Sequence, residues 1–304
     1  MPRADSPTPV ASTAARGVGL MIACSLLFAT MATFVGAAHE REPGLSTLMM
    51  SAIRSGVNLV ALVVLARGDV QLLLGDGRRA LWIRGVLGGV SLVSYFTALA
   101  HVGVGEAAFL NQTSAVWVAI FAPVFLGEST GALVWLAVGG SLVGVSLLAA
   151  PAAGAPPGDA FGRAVGLFSG LTSAGAYLSV RRAGATNKPI TIVFYFTLVA
   201  AFGTTISCVV RQESLPRDPV TLGLMVGAGL TATLAQLIMT EAYRVGRAGP
   251  VAAAGAAGPL FSTVLGAVFL GQVPDKHAAV GMGILLVSAM GLPFLAARAA
   301  ERSR

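Results

Sequence analysis

The feature that most constrains this chain is a series of apolar runs, each about as long as a membrane is thick. Ten such runs can be marked in the 304 residues, with short loops between them. A helix needs about 20 mostly apolar residues to cross the hydrocarbon core of a bilayer. The chain is therefore predicted to be an all-α integral membrane protein with ten transmembrane helices. The predicted spans are residues 17–38, 46–66, 80–100, 104–126, 131–150, 163–181, 189–210, 219–243, 248–270 and 277–297.

Composition agrees with a membrane location and argues against several other classes. Hydrophobic residues make up 55% of the chain and charged residues 11%, whereas soluble domains have about 25% charged residues. Strong alternation of polar and apolar residues, the pattern of a β-barrel, is absent. The sequence shows no P-loop, no nucleophile elbow and no cluster of Cys and His at metal-binding spacing. We therefore expect no cofactor, no metal and no enzymatic activity.

The distribution of basic residues predicts the orientation in the membrane. The net charge is +7, but it is not spread as a surface for nucleic acid. With the N-terminus inside and ten alternating helices, 13 of the 20 Lys and Arg residues fall in cytoplasmic segments. This is the positive-inside pattern, and it predicts a multi-pass protein of the inner (plasma) membrane with both termini cytoplasmic. The basic residues predicted to lie outside are Arg41, Arg163, Arg211, Arg217 and Lys276.

The chain also resembles itself at a nearly constant offset. The segment "VGL" at 18–20 recurs at 165–167, and "VFLG" at 124–127 recurs at 268–271. An ordered series of such matches indicates a duplicated unit. Each unit would hold five helices, an odd number, so the two would form an inverted repeat of the kind found in alternating-access transporters. The predicted parts are a disordered cytoplasmic tail (1–16), a first repeat (17–150), a linker (151–162), a second repeat (163–297) and a cytoplasmic tail (298–304).

These residues resemble the EamA-type branch of the drug/metabolite transporter superfamily. The resemblance lies in Arg54 within "SAIRSGVNL", in "RGVLGGVSLVSYFTALAHVGVGEAAFL" and in "PVFLGE" at 123–128. The second half departs from it at "VFLGQ", where Gln272 replaces the acidic residue. The resemblance implies a secondary active transporter with a central cavity lined mainly by helices 1, 3, 4, 6, 8 and 9. The family moves amino acids, nucleotide sugars, cofactors, organic acids and drugs, so no single substrate is implied.

Two arginines inside apolar runs are the least expected residues. An arginine at the bilayer centre costs roughly 2.5–3.5 kcal/mol. Arg54 lies far from either end of its run, so it should face the bundle interior and pair with a carboxylate or with carbonyl groups. It would act there as a structural or gating group or as a substrate ligand. Arg84 lies near the cytoplasmic end of its run, where it could snorkel to the interface or contribute to a site.

A polar cluster in the middle of the run 104–126 predicts part of a cavity lining. Asn111, Gln112, Thr113 and Ser114 would be costly in lipid, so some of them should face protein or water. Pro123 and Pro259 are expected either to pack as kinks or to free a carbonyl toward the substrate. The residues predicted to bind substrate are Arg54, Arg84, Tyr95, Asn111, Gln112, Trp117, Tyr177 and Gln236.

Two carboxylates are candidates for proton coupling. Glu106 and Glu241 are the acidic residues nearest the membrane interior. Glu106 could instead be an interfacial group, and Glu241 could pair with Arg244 and Arg247. Together these features predict secondary transport of a small organic metabolite, such as an amino acid or organic anion. The predicted partners are the bilayer and this solute but no nucleic acid, with a monomer and a homodimer both open. The alternatives are a membrane-embedded lipid-modifying enzyme and a channel.

Overall fold

The structure, a computed structural model, is a helical bundle. It describes residues 9–127, 157–246 and 257–288, with scattered positions between 136 and 147 and at 251, 254 and 255. Across these residues the regular structure is helical and no strand is present. The helices are α1 (Pro9–Arg41), α2 (Thr47–Leu65), α3 (Val70–Leu74), α4 (Arg79–Val102), α5 (Val104–Gln112), α6 (Ser114–Leu126), α7 (Pro157–Ala183), α8 (Pro189–Arg211), α9 (Pro219–Val245), α10 (Ala257–Leu270) and α11 (Lys276–Leu286).

Six stretches of the described helices are long and apolar enough to cross a membrane. The all-helical fold class therefore agrees with the sequence prediction. Most of the predicted span 131–150 and the end of the span 277–297 lie outside the described residues, so the count of ten remains a prediction. The six stretches are Arg16–Arg41, Thr47–Leu65, Arg79–Val102, Val104–Phe125, Pro189–Arg211 and Pro219–Val245.

Two helices begin earlier than the predicted spans. Helix α1 begins at Pro9, so the second half of the predicted disordered tail is helical. Helix α7 begins at Pro157, inside the predicted linker 151–162. Proline is favoured in the first turn of a helix because its missing N–H would have no partner there. Pro9 lies in the predicted tail and Pro157 in the predicted linker, and each precedes a stretch rich in alanine or glycine that continues into an apolar run.

Helix ends are set by local signals between the apolar runs. The side chain of Ser46 accepts a hydrogen bond from the Met49 backbone N–H (3.1 Å) and caps α2. The side chain of Asp218 does the same for Val220 (3.0 Å) at the start of α9. Gly103, with φ of 81°, separates α4 from α5. Such caps satisfy backbone donors that a helix leaves unpaired in its first turn.

The predicted single helix over 104–126 is broken at Thr113. Helix α5 ends at Gln112 and α6 begins at Ser114. The Thr113 hydroxyl donates to the carbonyl of Leu110 (2.7 Å), and the Thr113 backbone N–H donates to the same oxygen (3.2 Å). A hydroxyl bonded to the preceding turn competes with the regular helical pattern and bends the helix. The interruption lies within the polar cluster and not at Pro123, which stays inside α6.

The outside of the bundle is apolar. Large side chains that project outward from the spanning helices include Val64, Phe202, Val209 and Val210, each more than 60% exposed. In water such a surface would favour aggregation, whereas in a membrane the apolar side chains contact lipid tails, which are a favourable environment for them. The inward faces carry the polar groups, which include the buried Arg54. This arrangement is what a membrane bundle requires.

The most extensive helix contacts are made by α4 with α7 and by α1 with α9. Helix α2 packs on α8, and α8 also contacts α4. Gly85 allows the α4–α8 approach, since a Cβ there would lie 2.9 Å from the carbonyl oxygen of Tyr195. Small residues permit such close backbone packing, and van der Waals contacts of this kind stabilise helix association in lipid, where the hydrophobic effect does not. These contacts surround a central space that α5 and α10 complete.

Candidate functional site

A cavity of about 150 Å³ lies in the middle of the bundle. It is bounded by α1, α2, α4, α5, α7, α8, α9 and α10 and by the first residue of α6, so residues far apart in the chain meet around it. Its apolar wall includes Met21, Phe28, Met31, Phe196 and Met239. The polar side chains that line it are Ser25, Arg54, Arg84, Ser91, Tyr95, Asn111, Gln112, Ser114, Ser173, Tyr177, Gln236, Tyr243 and Ser262.

Two arginines lie against one aromatic ring at the cavity. Arg54 comes from α2 and Arg84 from α4, and their side chains are 1% and 2% exposed. The guanidinium carbon of Arg84 is 4.4 Å from the centroid of the Phe196 ring, and that of Arg54 is 5.5 Å from the same centroid. A cation within about 6 Å of a ring centroid is attracted by the ring, by about 2 kcal/mol when water is excluded. Phe196 therefore holds both cations together.

The cations keep hydrogen-bond donors without acceptors. Nε and Nη1 of Arg54 and Nε of Arg84 are buried and meet no acceptor among the described residues. Among the described residues, the expected pairing of Arg54 with a carboxylate or with carbonyl groups is not present at its Nε and Nη1. An unmade hydrogen bond at a buried charged donor costs about 1–3 kcal/mol or more. An aromatic face attracts the charge but leaves these N–H groups unpaired.

Arg84 is positioned by two neighbours. Its Nη2 donates to Oε1 of Gln236 on α9 (2.9 Å). Its Nη1 lies over Gly88, one turn further along α4, where any Cβ would collide with it. A glycine one turn away thus lets the guanidinium fold back along its own helix. Arg84 consequently turns into the bundle, and the snorkelling alternative does not hold.

A hydrogen-bonded polar wall forms part of the lining. Nδ2 of Asn111 donates to the hydroxyls of Ser169 (2.9 Å) and Ser173 (3.2 Å) on α7. The hydroxyls of Ser173 and Ser91 are 2.6 Å apart. The interruption at Thr113 lies directly after Asn111 and Gln112, so these side chains lie where the regular helix is interrupted. This network joins α4, α5 and α7 around the cavity.

Aromatic residues complete the lining at the end where α7 and α9 terminate. The rings of Tyr177 and Tyr243 stack with centroids 5.2 Å apart and an interplanar angle of 21°. Nη1 of Arg181 donates to the carbonyl of Tyr243 (3.3 Å) and ties α7 to α9 at this end. A stacked pair presents a flat apolar face and two hydroxyl groups to whatever fills the cavity.

Seven of the eight residues predicted to bind substrate line this cavity, and Trp117 does not. Trp117 stacks on Phe121 (centroids 6.0 Å apart) and packs against the apolar core. Trp117 lies in α6, four residues after the interruption at Thr113, whereas Asn111 lies in α5. Lining a cavity does not test binding, so the binding roles of the seven residues remain predictions.

The two candidate proton-coupling carboxylates lie outside the cavity lining. Glu106 Oε1 pairs with Arg163 Nε at 2.6 Å, and both side chains are largely buried. Glu241 Oε2 pairs with Arg244 Nε at 2.7 Å, which matches the ion pair weighed as its alternative. Arg16 adds a longer contact to Glu241 at 3.7 Å. Within the described residues, no group of three His, Cys, Asp or Glu side chains could hold a metal ion.

Sequence reasoning missed Phe196, Ser173 and Tyr243. Phe196 stands in the apolar segment "IVFYFTL", where nothing distinguishes it from a lipid-facing residue. Tyr243 had a usable signal, because the chain has only four tyrosines and three of them line the cavity. Tyrosine in an apolar run needs a partner for its hydroxyl, so its scarcity points to a polar interior.

Comparison with known proteins identifies the family. The model of the EamA-like transporter family matches residues 15–150 and again residues 160–293. The chain belongs to the EamA-like transporter family. The resemblance deduced from the sequence motifs is therefore confirmed, and with it the prediction of a multi-pass membrane transporter family member.

Individual relatives span almost the full chain. The pseudopaline exporter CntI of Pseudomonas aeruginosa is 29% identical over 273 residues, covering 90% of this chain and 94% of that protein. An uncharacterized transporter of Helicobacter pylori is 22% identical over 285 residues, covering 90% and 93%. One solved crystal structure superposes with a TM-score of 0.71 at 18% identity, covering 95% of this chain and 99% of that one. This last likeness shows that the fold is shared.

Proposed function

We propose that this EamA-like protein is a secondary active transporter that moves a small organic solute across the inner membrane by alternating access. One observation carries the proposal: a polar cavity lies at the centre of a bundle whose outer surface is apolar. Binding sites of secondary transporters lie near the membrane midplane, between two structural repeats. The cavity is consistent with such a site, since α2 and α4 from the first half of the chain meet α8 and α9 from the second half around it.

The helix contacts support an inverted five-plus-five arrangement. If α1 corresponds to α7 and α4 to α9, a two-fold relation maps the contact of α1 with α9 onto that of α7 with α4. These are the two most extensive contacts in the bundle. The family model also matches twice, with the second match beginning after residue 159. Both observations favour ten helices in two inverted repeats. An even number of spans places both termini on one side, and the excess of Lys and Arg in the segments on that side favours the cytoplasm.

The direction of transport is proposed as export. The Pseudomonas aeruginosa relative is named as an exporter and is similar over 90% of this chain. Its own substrate is not carried over, because 29% identity leaves most cavity residues free to differ. A solute gathered from the cytoplasm would enter the cavity past the Tyr177–Tyr243 pair, which lies at the end predicted to be cytoplasmic.

Efflux from proteoliposomes tests this function. Liposomes are loaded with the small-molecule fraction of a cell extract, with and without the purified full chain, and mass spectrometry records which solutes leave. We expect selected solutes to leave only when protein is present, and their efflux to saturate with internal concentration. Ser173→Trp, which fills the cavity, should stop this efflux, whereas Thr205→Trp on the exposed face of α8 should not. Efflux equal to that of empty liposomes would refute the proposal, and unsaturable flux of many ions would indicate a channel.

A further inference from the structure

The cavity holds two cations and, among the described residues, no carboxylate lines it. Arg54 and Arg84 are nearly completely buried and share one ring. Two like charges removed from water repel each other and lose hydration, so the empty arrangement is unfavourable. A negatively charged ligand would offset both costs at once. Among the described residues the protein supplies no counterion to this pair, and a ligand with negative charge would account for that.

The unpaired donors show where such a ligand would bind. Arg54 presents Nε and Nη1, and Arg84 presents Nε, all without acceptors among the described residues. Gln236 already occupies Nη2 of Arg84, and Gly88 leaves room for Nη1. The donors that remain belong to planar forks, which match the two oxygens of a carboxylate or phosphate group.

We propose that Arg54 and Arg84 form an anion-binding subsite, so that the transported solute carries at least one carboxylate or phosphate group. This inference rests on the proposed transport function and names the substrate class of the same cavity. Phe196 and Gln236 hold the guanidinium groups in place, so the subsite is formed before the ligand arrives. The polar wall at Asn111 takes the neutral part of the solute.

Binding of matched probes to the purified full chain tests the subsite. The probes are succinate, glycerol 3-phosphate and the uncharged succinamide, compared by calorimetry and by thermal unfolding at constant ionic strength set with chloride. We expect succinate, glycerol 3-phosphate or both to bind and raise the unfolding temperature, with no effect of succinamide. The relative strength of the two anions distinguishes a carboxylate site from a phosphate site.

Variants assign the binding to the two arginines. Arg54→Gln and Arg84→Gln should each weaken anion binding about tenfold or more, because each removes charged donors. Arg54→Lys keeps a charge but loses the fork, so it should bind more weakly than the parent and more tightly than Arg54→Gln. Arg79→Gln is the matched control, since Arg79 is an exposed cation at the start of the same helix as Arg84, and it should bind like the parent.

The outcomes separate this inference from the proposed function. Equal effects of succinamide and succinate, or no anion binding by the parent, would overturn the anion subsite without reference to any variant. In the proteoliposome assay, efflux restricted to neutral or cationic solutes would also overturn it while transport itself stood. Anion binding without efflux of any solute would uphold the subsite and refute the transport function.

Discussion

Nη2 of Arg84 donates to Oε1 of Gln236 across 2.9 Å, and the bond joins α4 to α9 over 152 residues of chain. It is a buried contact between a cation and a neutral amide. A neutral partner orients the guanidinium without cancelling its charge, which leaves the charge available to a ligand. A carboxylate at position 236 would have neutralised it.

Gln236→Glu should therefore stabilise the protein and impair transport. The new carboxylate would pair with Arg84 inside the bundle and compete with an anionic solute. We expect a higher unfolding temperature together with a large loss of efflux from proteoliposomes. Gln236→Leu is the contrasting variant, because it leaves Nη2 of Arg84 without an acceptor at a cost of about 1–3 kcal/mol. If Gln236→Glu transports like the parent, the Arg84 charge has no role in transport.

Gly88→Ala should displace the Arg84 side chain. A Cβ at position 88 would collide with Nη1 of Arg84 and lie 2.6 Å from Cδ2 of Phe196. We expect anion binding and efflux to fall severalfold while the protein still inserts in the membrane. Gly89→Ala is the matched control on the next residue, since its Cβ would be 3.6 Å from the nearest atom, Cα of Ala200. Equal behaviour of the two variants would show that the Arg84 position does not matter.

Cysteine labelling should separate Asn111 and Gln112 from Trp117. In a background without Cys24 and Cys208, which are both buried, cysteines at 111 and 112 should react with a small aqueous thiol reagent. A cysteine at 117 should react slowly, because Trp117 packs against Phe121 and the apolar core. Mass spectrometry of the labelled protein measures the rates. Fast labelling at 117 and none at 111 would reverse the assignment of the two helix faces.

Reporter fusions should place both termini in the cytoplasm. The prediction rests on the excess of Lys and Arg in the segments assigned to that side. Fusions after Glu42 and after Glu213 should report the opposite side. Each position lies in a loop that joins a helix predicted to run from the cytoplasm outward to one predicted to run back. A phosphatase reporter that is active only outside and a fluorescent reporter that is active only inside provide the two readouts. A C-terminus outside would contradict the five-plus-five arrangement.

The ion pair between Arg41 and Asp218 should make stability fall in acid. Nε of Arg41 donates to Oδ2 of Asp218 (2.8 Å), and this hydrogen bond is the largest cause that lowers the pKa of Asp218 below its usual 3.8. A lowered pKa means that the stabilisation is present above the usual pKa and is lost as pH falls through the folded value. Thermal unfolding between pH 6 and about pH 3 should therefore show a steeper loss for the parent than for Asp218→Asn. Asparagine also caps helices well, so the comparison isolates the effect of the charge. Parallel pH dependence of the unfolding temperature in the two proteins would contradict a stabilising role for the ion pair.

The sequence alone determined the fold class and the choice of most candidate residues. Runs of apolar residues must form helices in lipid, because every backbone N–H and C=O needs a partner within the segment. Charged residues in such runs are costly enough that Arg54 could be assigned to the interior from its position alone. The recurrence of short motifs at a nearly constant offset, which predicts the repeat, and the scarcity of polar residues in the apolar runs were likewise read from counts and spacings in the sequence.

Only the tertiary structure decided how those residues meet. A helix that is apolar on all sides carries no pattern to show which face turns inward, so Arg84 could have snorkelled and Trp117 could have faced the cavity. The stacking of Trp117 on Phe121 and the contact of Arg84 with Phe196, which comes from α8, settled both points. Contacts between distant segments depend on helix packing and close approach at small residues, and neither is encoded in the local period of the sequence.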